Sequence, residues 1–206
     1  MKVPFLDLKK TNREIEDKLS SDFTKFLSSG QYIGGEAVNS FEKKFSSYCG
    51  SEYCVGVGNG LDALTLALKS LEIGPGDEVI VPNMTFIATW LAVSSIGAKI
   101  VPVDVHPTDL SINVHLIKKA INSKTKAIIS VFIFGKVCRD IDEIIKISNE
   151  KNLFLLFDAA QSSGANYIRD INQKIIKKTA MAWSFYPGKN LGAIGDAGAV
   201  TTNCSS

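Results

Sequence analysis

The 206-residue sequence lacks an excess of either charge: 23 Lys and Arg face 21 Asp and Glu, for a net +2, and the basic residues are scattered along the chain. That excludes the massed basic footprint of a nucleic-acid or membrane-surface protein. Long apolar runs are missing too. The longest, Ala127 to Gly135, is about half the ~20 residues that a membrane-spanning helix needs. Met1 to Lys10 has no apolar stretch after its first lysine, so it does not read as a secretory leader. Cysteine is sparse, and Cys49, Cys54, Cys138 and Cys204 fall at spacings that match no zinc or redox motif. Reduced thiols in a cytoplasmic protein are expected, with no metal centre. No repeat or low-complexity tract interrupts the chain.

What is present describes a globular protein. The sequence is 45% hydrophobic, 21% charged and 9% aromatic, which excludes disorder and allows one sizeable core. Residues 1–50 read as a helical segment. Ile15, Leu19, Phe23, Phe26 and Leu27 fall on one helical face, and Val38, Phe41 and Phe45 on a second, with Gly34 and Gly35 between them. From residue 51 onward, short apolar runs alternate with helical patterns, which predicts an α/β domain with a mostly parallel, seven-stranded sheet. The runs are Tyr53 to Val57, Glu78 to Pro82, Lys99 to Val103, Lys126 to Ile133, Leu153 to Phe157, Thr179 to Phe185 and Gly198 to Thr202. Helices are expected over Asn59 to Leu71, Phe86 to Ile96, Val114 to Ile121 and Arg139 to Lys151, with Thr85 and Asn113 as N-caps.

Open α/β sheets bind ligands at the carboxyl ends of their strands, and four of these runs end in polar or glycine-rich residues. Gly56 to Leu64 is a glycine-rich turn entering a helix, where backbone N–H groups can hold a phosphate, although a tight turn needs glycines in any case. Pro82 to Phe86 brings an aromatic ring to the same edge, either to stack on a planar ligand or to fill the core. Asp158 ends an apolar strand, and a carboxylate there calls for a structural cation, a helix to cap or a cationic ligand. Ser184 to Gly192 holds Lys189 in a glycine- and proline-containing loop. A lone loop lysine is ordinarily a solvated charge, but a desolvated amine attacks carbonyls. Pyridoxal phosphate requires a Schiff-base lysine, a carboxylate on its ring nitrogen and a phosphate cradle. All three are here, each following a strand.

With these motifs the sequence resembles the sugar-nucleotide aminotransferases of the DegT type, pyridoxal phosphate enzymes of fold type I. Ser184 to Gly192 with Gly195-Asp196 looks like the family's lysine loop, and Asp158-Ala159-Ala160-Gln161 like its ring motif. Gly58 to Leu64, Pro82 to Thr89 and Pro102-Val103-Asp104 align in order, so the likeness covers the whole chain from Pro4-Phe5-Leu6-Asp7. The resemblance implies that Lys189 carries pyridoxal 5'-phosphate as a Schiff base and moves the proton. Asp158 would pair with the ring nitrogen, Gln161 would lie beside it and Phe86 would stack on the ring. Gly60, Leu61, Asp62 and Ser184 would hold the phosphate.

The reaction implied is transfer of an amino group from glutamate to a nucleotide-linked keto sugar, in deoxyamino-sugar biosynthesis, by a homodimer. Leu61 stands where the family commonly has Thr, and Phe132 where it often has His, which affects a phosphate hydroxyl and the substrate contacts respectively. The family also continues into a small C-terminal domain, so residues 51–206 are expected to be the large domain without it. A sugar dehydratase is the alternative chemistry, disfavoured because its relatives replace the lysine; a non-catalytic binding protein of the same fold is the alternative class.

Overall fold

In a computed structural model that describes residues 3–174 and 178–204, seven strands form one sheet. They are β1 (Tyr53–Val57), β2 (Glu78–Pro82), β3 (Lys99–Val103), β4 (Thr125–Val131), β5 (Phe154–Asp158), β6 (Thr179–Ser184) and β7 (Gly198–Thr202), in the order β1-β7-β6-β5-β4-β2-β3. The neighbours from β3 through β6 are all parallel, and β7 runs antiparallel to both β6 and β1.

Alternation along the strands sends successive side chains to opposite faces. On one face, Val79, Val81, Ala127, Ile129, Leu156 and Ala182 form a core with α4 (Gly60–Lys69) and α5 (Ile87–Ser95). On the other, Ile80, Ile128, Leu155, Phe157 and Trp183 pack with α3 (Gly35–Cys49), α6 (Val114–Ala120), α7 (Ile141–Glu150) and α8 (Tyr167–Lys174). Both faces are covered, as near-continuous apolar strands demand. This is the three-layer, mostly parallel architecture that the sequence pattern predicts.

Several details differ from the sequence reading. Asn113 caps α6, accepting from the N–H groups of His115 and Leu116. The residue at the N-cap of α5, however, is Phe86 rather than Thr85, and the Thr85 hydroxyl bonds Thr89 instead. The fourth strand stops at Val131, because Phe134 adopts a left-handed backbone (φ 54°) in a one-turn helix over Ile133–Gly135. Helix α8 has no counterpart among the expected helices. Besides Ile168 and Ile171 it is fixed by polar groups, Tyr167 donating to the Gly135 carbonyl and Asn172 to the Cys49 carbonyl, so its short inward face offers few apolar residues to recognise. Two helices precede α3, namely α1 (Leu8–Asn12) and α2 (Glu16–Ser29). Of the expected apolar face, Ile15 just before α2 and Leu19, Phe23 and Leu27 along it remain 41–49% exposed, while Phe26 is half-buried beside Tyr32.

The link from β6 to β7 returns to the edge it left, so the two strands form a wide hairpin. Its stem is closed by Phe185 N–H to the Ala197 carbonyl (2.8 Å) and Ala193 N–H to the Phe185 carbonyl (2.8 Å). This anchors both ends of the lysine-bearing loop at the carboxyl edge of the parallel strands. At the foot of β7, Gly198 is wedged between backbones: a Cβ there would collide with the Asn59 carbonyl and lie 2.8 Å from that of Trp183. Gly198→Ala is therefore expected to destabilise the fold by about 1–3 kcal/mol, as overpacking against rigid neighbours does. An unchanged urea midpoint would show that this wedge does not constrain the edge.

Candidate active site

The glycine-rich turn after β1 and the residue that ends β6 meet directly. Gly60, the first residue of α4, sits so close to Ser184 that a Cβ would lie 2.8 Å from the serine Cβ. Asn59 caps the helix, its Oδ1 accepting from the Asp62 N–H at 2.8 Å while its Nδ2 donates to Asp62 Oδ2 at 3.0 Å. Asp62 is thus committed to Asn59. The Gly60 and Leu61 N–H groups meet no acceptor among the described residues, as expected for a helix's first turn. Ser184 Oγ accepts weakly from the Tyr186 N–H at 3.4 Å, which leaves its own proton to give. Two amides and a hydroxyl at a positive helix end form a donor set suited to a phosphate. Leu61 turns its side chain to the α4/α5 core, so the amide is what it offers.

Asp158 belongs to β5 itself, paired in register with Val131 of β4 and Ala182 of β6. Strand alternation points it to the α4/α5 side of the sheet. It is 6% exposed, Oδ2 accepting from Thr89 Oγ1 at 2.8 Å and Oδ1 from the Ala160 N–H at 3.2 Å. Burial pushes its pKa up, whereas the Thr89 hydroxyl, the Ala160 amide and the Lys189 charge pull it down. Each carboxylate oxygen keeps a lone pair beyond these two bonds. A carboxylate held in this way suits a cationic N–H ligand, since burying it alone is unfavourable.

Lys189 is half-buried, and desolvation lowers its pKa against the opposing pull of Asp158. Its loop is held by the Lys189 N–H on the Tyr186 carbonyl (2.8 Å) and by Asn190 Nδ2 on the Ser163 carbonyl (3.3 Å). Phe86 is 74% exposed at the start of α5, so it is not a core ring. Gln161, three residues past Asp158, has its side chain in solvent. Phe132 is fully buried, stacked on Phe157 (5.0 Å between ring centres) and edge-on to Tyr167 (5.5 Å). It packs on the sheet face opposite Asp158, as part of the core.

Thr89, Ala160, Asn59 and Asn190 were not singled out by the motifs. For Thr89 a signal existed: it shares a helical stripe with Ala92, Val93 and Ile96, all buried, and a hydroxyl on such a stripe needs a partner. The Ala160 contact comes from a backbone amide, which no side-chain pattern reveals.

A doubly covered sheet that brings a lysine loop and a buried carboxylate to one edge is the large domain of the fold type I architecture. Within that class, the chain belongs to the DegT/DnrJ/EryC1/StrS aminotransferase family, which it matches over residues 13–205. It is 44% identical over 202 residues to the dTDP-3-amino-3,4,6-trideoxy-alpha-D-glucose transaminase of Streptomyces venezuelae, covering 98% of this chain and 52% of that protein. Among solved structures, S. venezuelae DesV in complex with a ketimine intermediate superposes with a TM-score of 0.91 at 43% identity, over 98% of this chain and 54% of DesV. NtdA from Bacillus subtilis with bound cofactor PMP gives 0.88 at 35% identity, over 98% and 45%. The chain thus spans about half the length of the curated relatives it matches.

Proposed function

We propose that this chain is the cofactor-binding portion of a pyridoxal 5'-phosphate-dependent aminotransferase that moves an amino group from glutamate to a nucleotide-linked keto sugar. The observation that carries the reading is the buried Asp158 carboxylate with the lowered-pKa Lys189 acting on it. The relatives supply the substrate class: one is named for a dTDP-linked amino sugar, and another binds PMP.

Pyridoxal 5'-phosphate supplies an electron sink and a carrier for the nitrogen when bound. Lys189 would hold it, and its Nζ, whose pKa burial lowers, would take a proton from the donor's α-carbon and deliver one to the sugar carbon that receives nitrogen. Asp158 keeps the ring N–H positive by accepting it in a site that excludes water. The Gly60 and Leu61 amides and the Ser184 hydroxyl bind the phosphate, with Asp62 holding the Asn59 cap that orients them. Phe86 would stack on the ring and Gln161 would lie beside it.

A homodimer in the cytoplasm completes the proposal. Ile87 and Leu91, four residues apart on α5, are both exposed, an apolar surface that a second copy would cover. No helix among the described residues is long and apolar enough to cross a membrane.

The test is direct. Purified protein mixed with pyridoxal 5'-phosphate and freed of excess should retain a visible absorbance band, and with glutamate and a dTDP-linked 3-keto sugar should yield the amino sugar by mass spectrometry. A protein that acquires no band is not a pyridoxal phosphate enzyme. One that acquires the band without nitrogen transfer in its full-length natural form has another chemistry.

A further inference from the structure

Between α5 and β5, three oxygens stand in line. Thr85 Oγ1 lies 2.8 Å from Thr89 Oγ1, which lies 2.8 Å from Asp158 Oδ2. Thr89 is fully buried, and Thr85 is half-buried at the carboxyl edge, next to the exposed Phe86. A hydroxyl has one proton. With Asp158 ionised, the Thr89 proton goes to the carboxylate, so the bond between the threonines has only one possible direction: Thr85 donates and Thr89 accepts. With Asp158 protonated on Oδ2, both bonds reverse, and the Thr85 proton is released toward the edge.

We propose that Thr85 and Thr89 form a directional hydroxyl relay that orients the Asp158 carboxylate and favours its ionised form over the neutral one. The proposal rests on the reading of Asp158 as the partner of a cationic ring, and it adds two positioning residues that act through Asp158. Thr89 presents its proton where the buried charge needs it. Thr85, by donating to the Thr89 oxygen, fixes that orientation and strengthens the donor, since linked hydrogen bonds polarise one another. The β-branched side chain restricts rotation about χ1, so the relay is ordered with little loss of rotamer freedom. The balance of forces on Asp158 agrees: burial favours its neutral form, and the Thr89 bond is the largest influence against it. Around the carboxylate, β4 and β6 contribute Val131 and Ala182, the following turn the Ala160 amide, and the lysine loop the charge of Lys189. None of these changes when a threonine is substituted.

The experiment is an NMR titration of the Asp158 side-chain carboxyl carbon in the cofactor-free protein, repeated for Thr89→Val, Thr89→Ser, Thr85→Val and Thr85→Ser. Losing a donor to a buried carboxylate raises its midpoint. Thr89→Val should shift it up by about one to two pH units, the size of a charged hydrogen bond. Thr85→Val should shift it up less, by roughly half a unit, and both serine variants should return close to wild type. Thr89→Val with an unmoved midpoint overturns the relay, even if the variant is less stable, because the bond would then merely pin α5 to β5. Should Thr89→Val fail to fold, Thr85→Val decides: an unmoved midpoint there removes Thr85 and with it the relay. Retention of pyridoxal 5'-phosphate by the wild-type protein is measured in parallel. Its failure with the midpoint shifts intact would sink the cofactor reading and leave the relay standing.

Discussion

Replacing Lys189 with alanine is expected to lower amino transfer by the active protein by on the order of 10³-fold or more, because one substitution removes both the covalent anchor and the proton carrier. Arginine should do no better: it keeps the charge but cannot give up its proton or attack a carbonyl. Borohydride reduction of the loaded wild-type protein, followed by peptide mapping, should leave a pyridoxyl group on Lys189. Burial holds the Lys189 pKa below that of a free lysine, so the nucleophilic neutral amine is populated at lower pH than on the exposed lysines. The contrast should be clearest when loading is done near pH 7. A pyridoxyl label on a different lysine, with none on Lys189, refutes the assignment. So does a Lys189→Ala protein with unchanged turnover.

Much of the fold was legible because the strands are buried on both faces and stand out as short apolar runs between helical patterns. The run from Leu153 to Phe157 is such a case: its offset from the observed Phe154–Asp158 is one residue at each end. What sequence periodicity could not express was the reversal of β7. An apolar run carries no direction, and the antiparallel pairing is set by the 185–197 connection returning to its starting edge. Apolar periodicity also overstated what is buried. The stripe on α2 has the spacing of a core face yet stays exposed, since the spacing shows that a helix has an apolar side and not what covers it.

The candidate site divides along the same line. Lys189, Asp158, Ser184 and the Gly60 turn were singled out because each lies at or just beyond a strand end, and parallel strands deliver their ends to one edge. Thr89, in the first turn of α5, shows by its buried stripe that its hydroxyl needs a partner, but not that the partner is Asp158 on β5. Phe132, which stands where the resemblance has His, is turned by strand parity to the face opposite Asp158, where Phe157 and Tyr167 enclose it.

Asp158→Asn should have opposite effects on the empty and the loaded protein. In the cofactor-free state, burial raises the Asp158 pKa above its unfolded value. Such a group contributes stability that is fully present below the unfolded pKa and is lost as pH rises through the folded pKa. Wherever Asp158 is ionised, the empty site therefore holds an unfavourable charge. Asparagine removes it without leaving the neighbours unpaired: its Oδ1 can accept from the Ala160 N–H, and its Nδ2 can donate to Thr89, which then donates to Thr85. The cofactor-free variant should melt higher than wild type at pH values where wild-type Asp158 is ionised, by roughly 2–4 °C for each kcal/mol relieved, with the gap closing as pH falls and Asp158 protonates. Loaded protein should behave in reverse. An amide cannot hold a ring N–H as a cation, so affinity for pyridoxal 5'-phosphate should fall about ten- to a hundredfold, and turnover should fall on the order of 10²-fold or more. Scanning calorimetry across pH, without and with cofactor, checks both arms. If the variant is less stable than wild type when empty, the carboxylate is a structural anchor. Equal cofactor affinity in the two proteins would mean that Asp158 does not meet the ring.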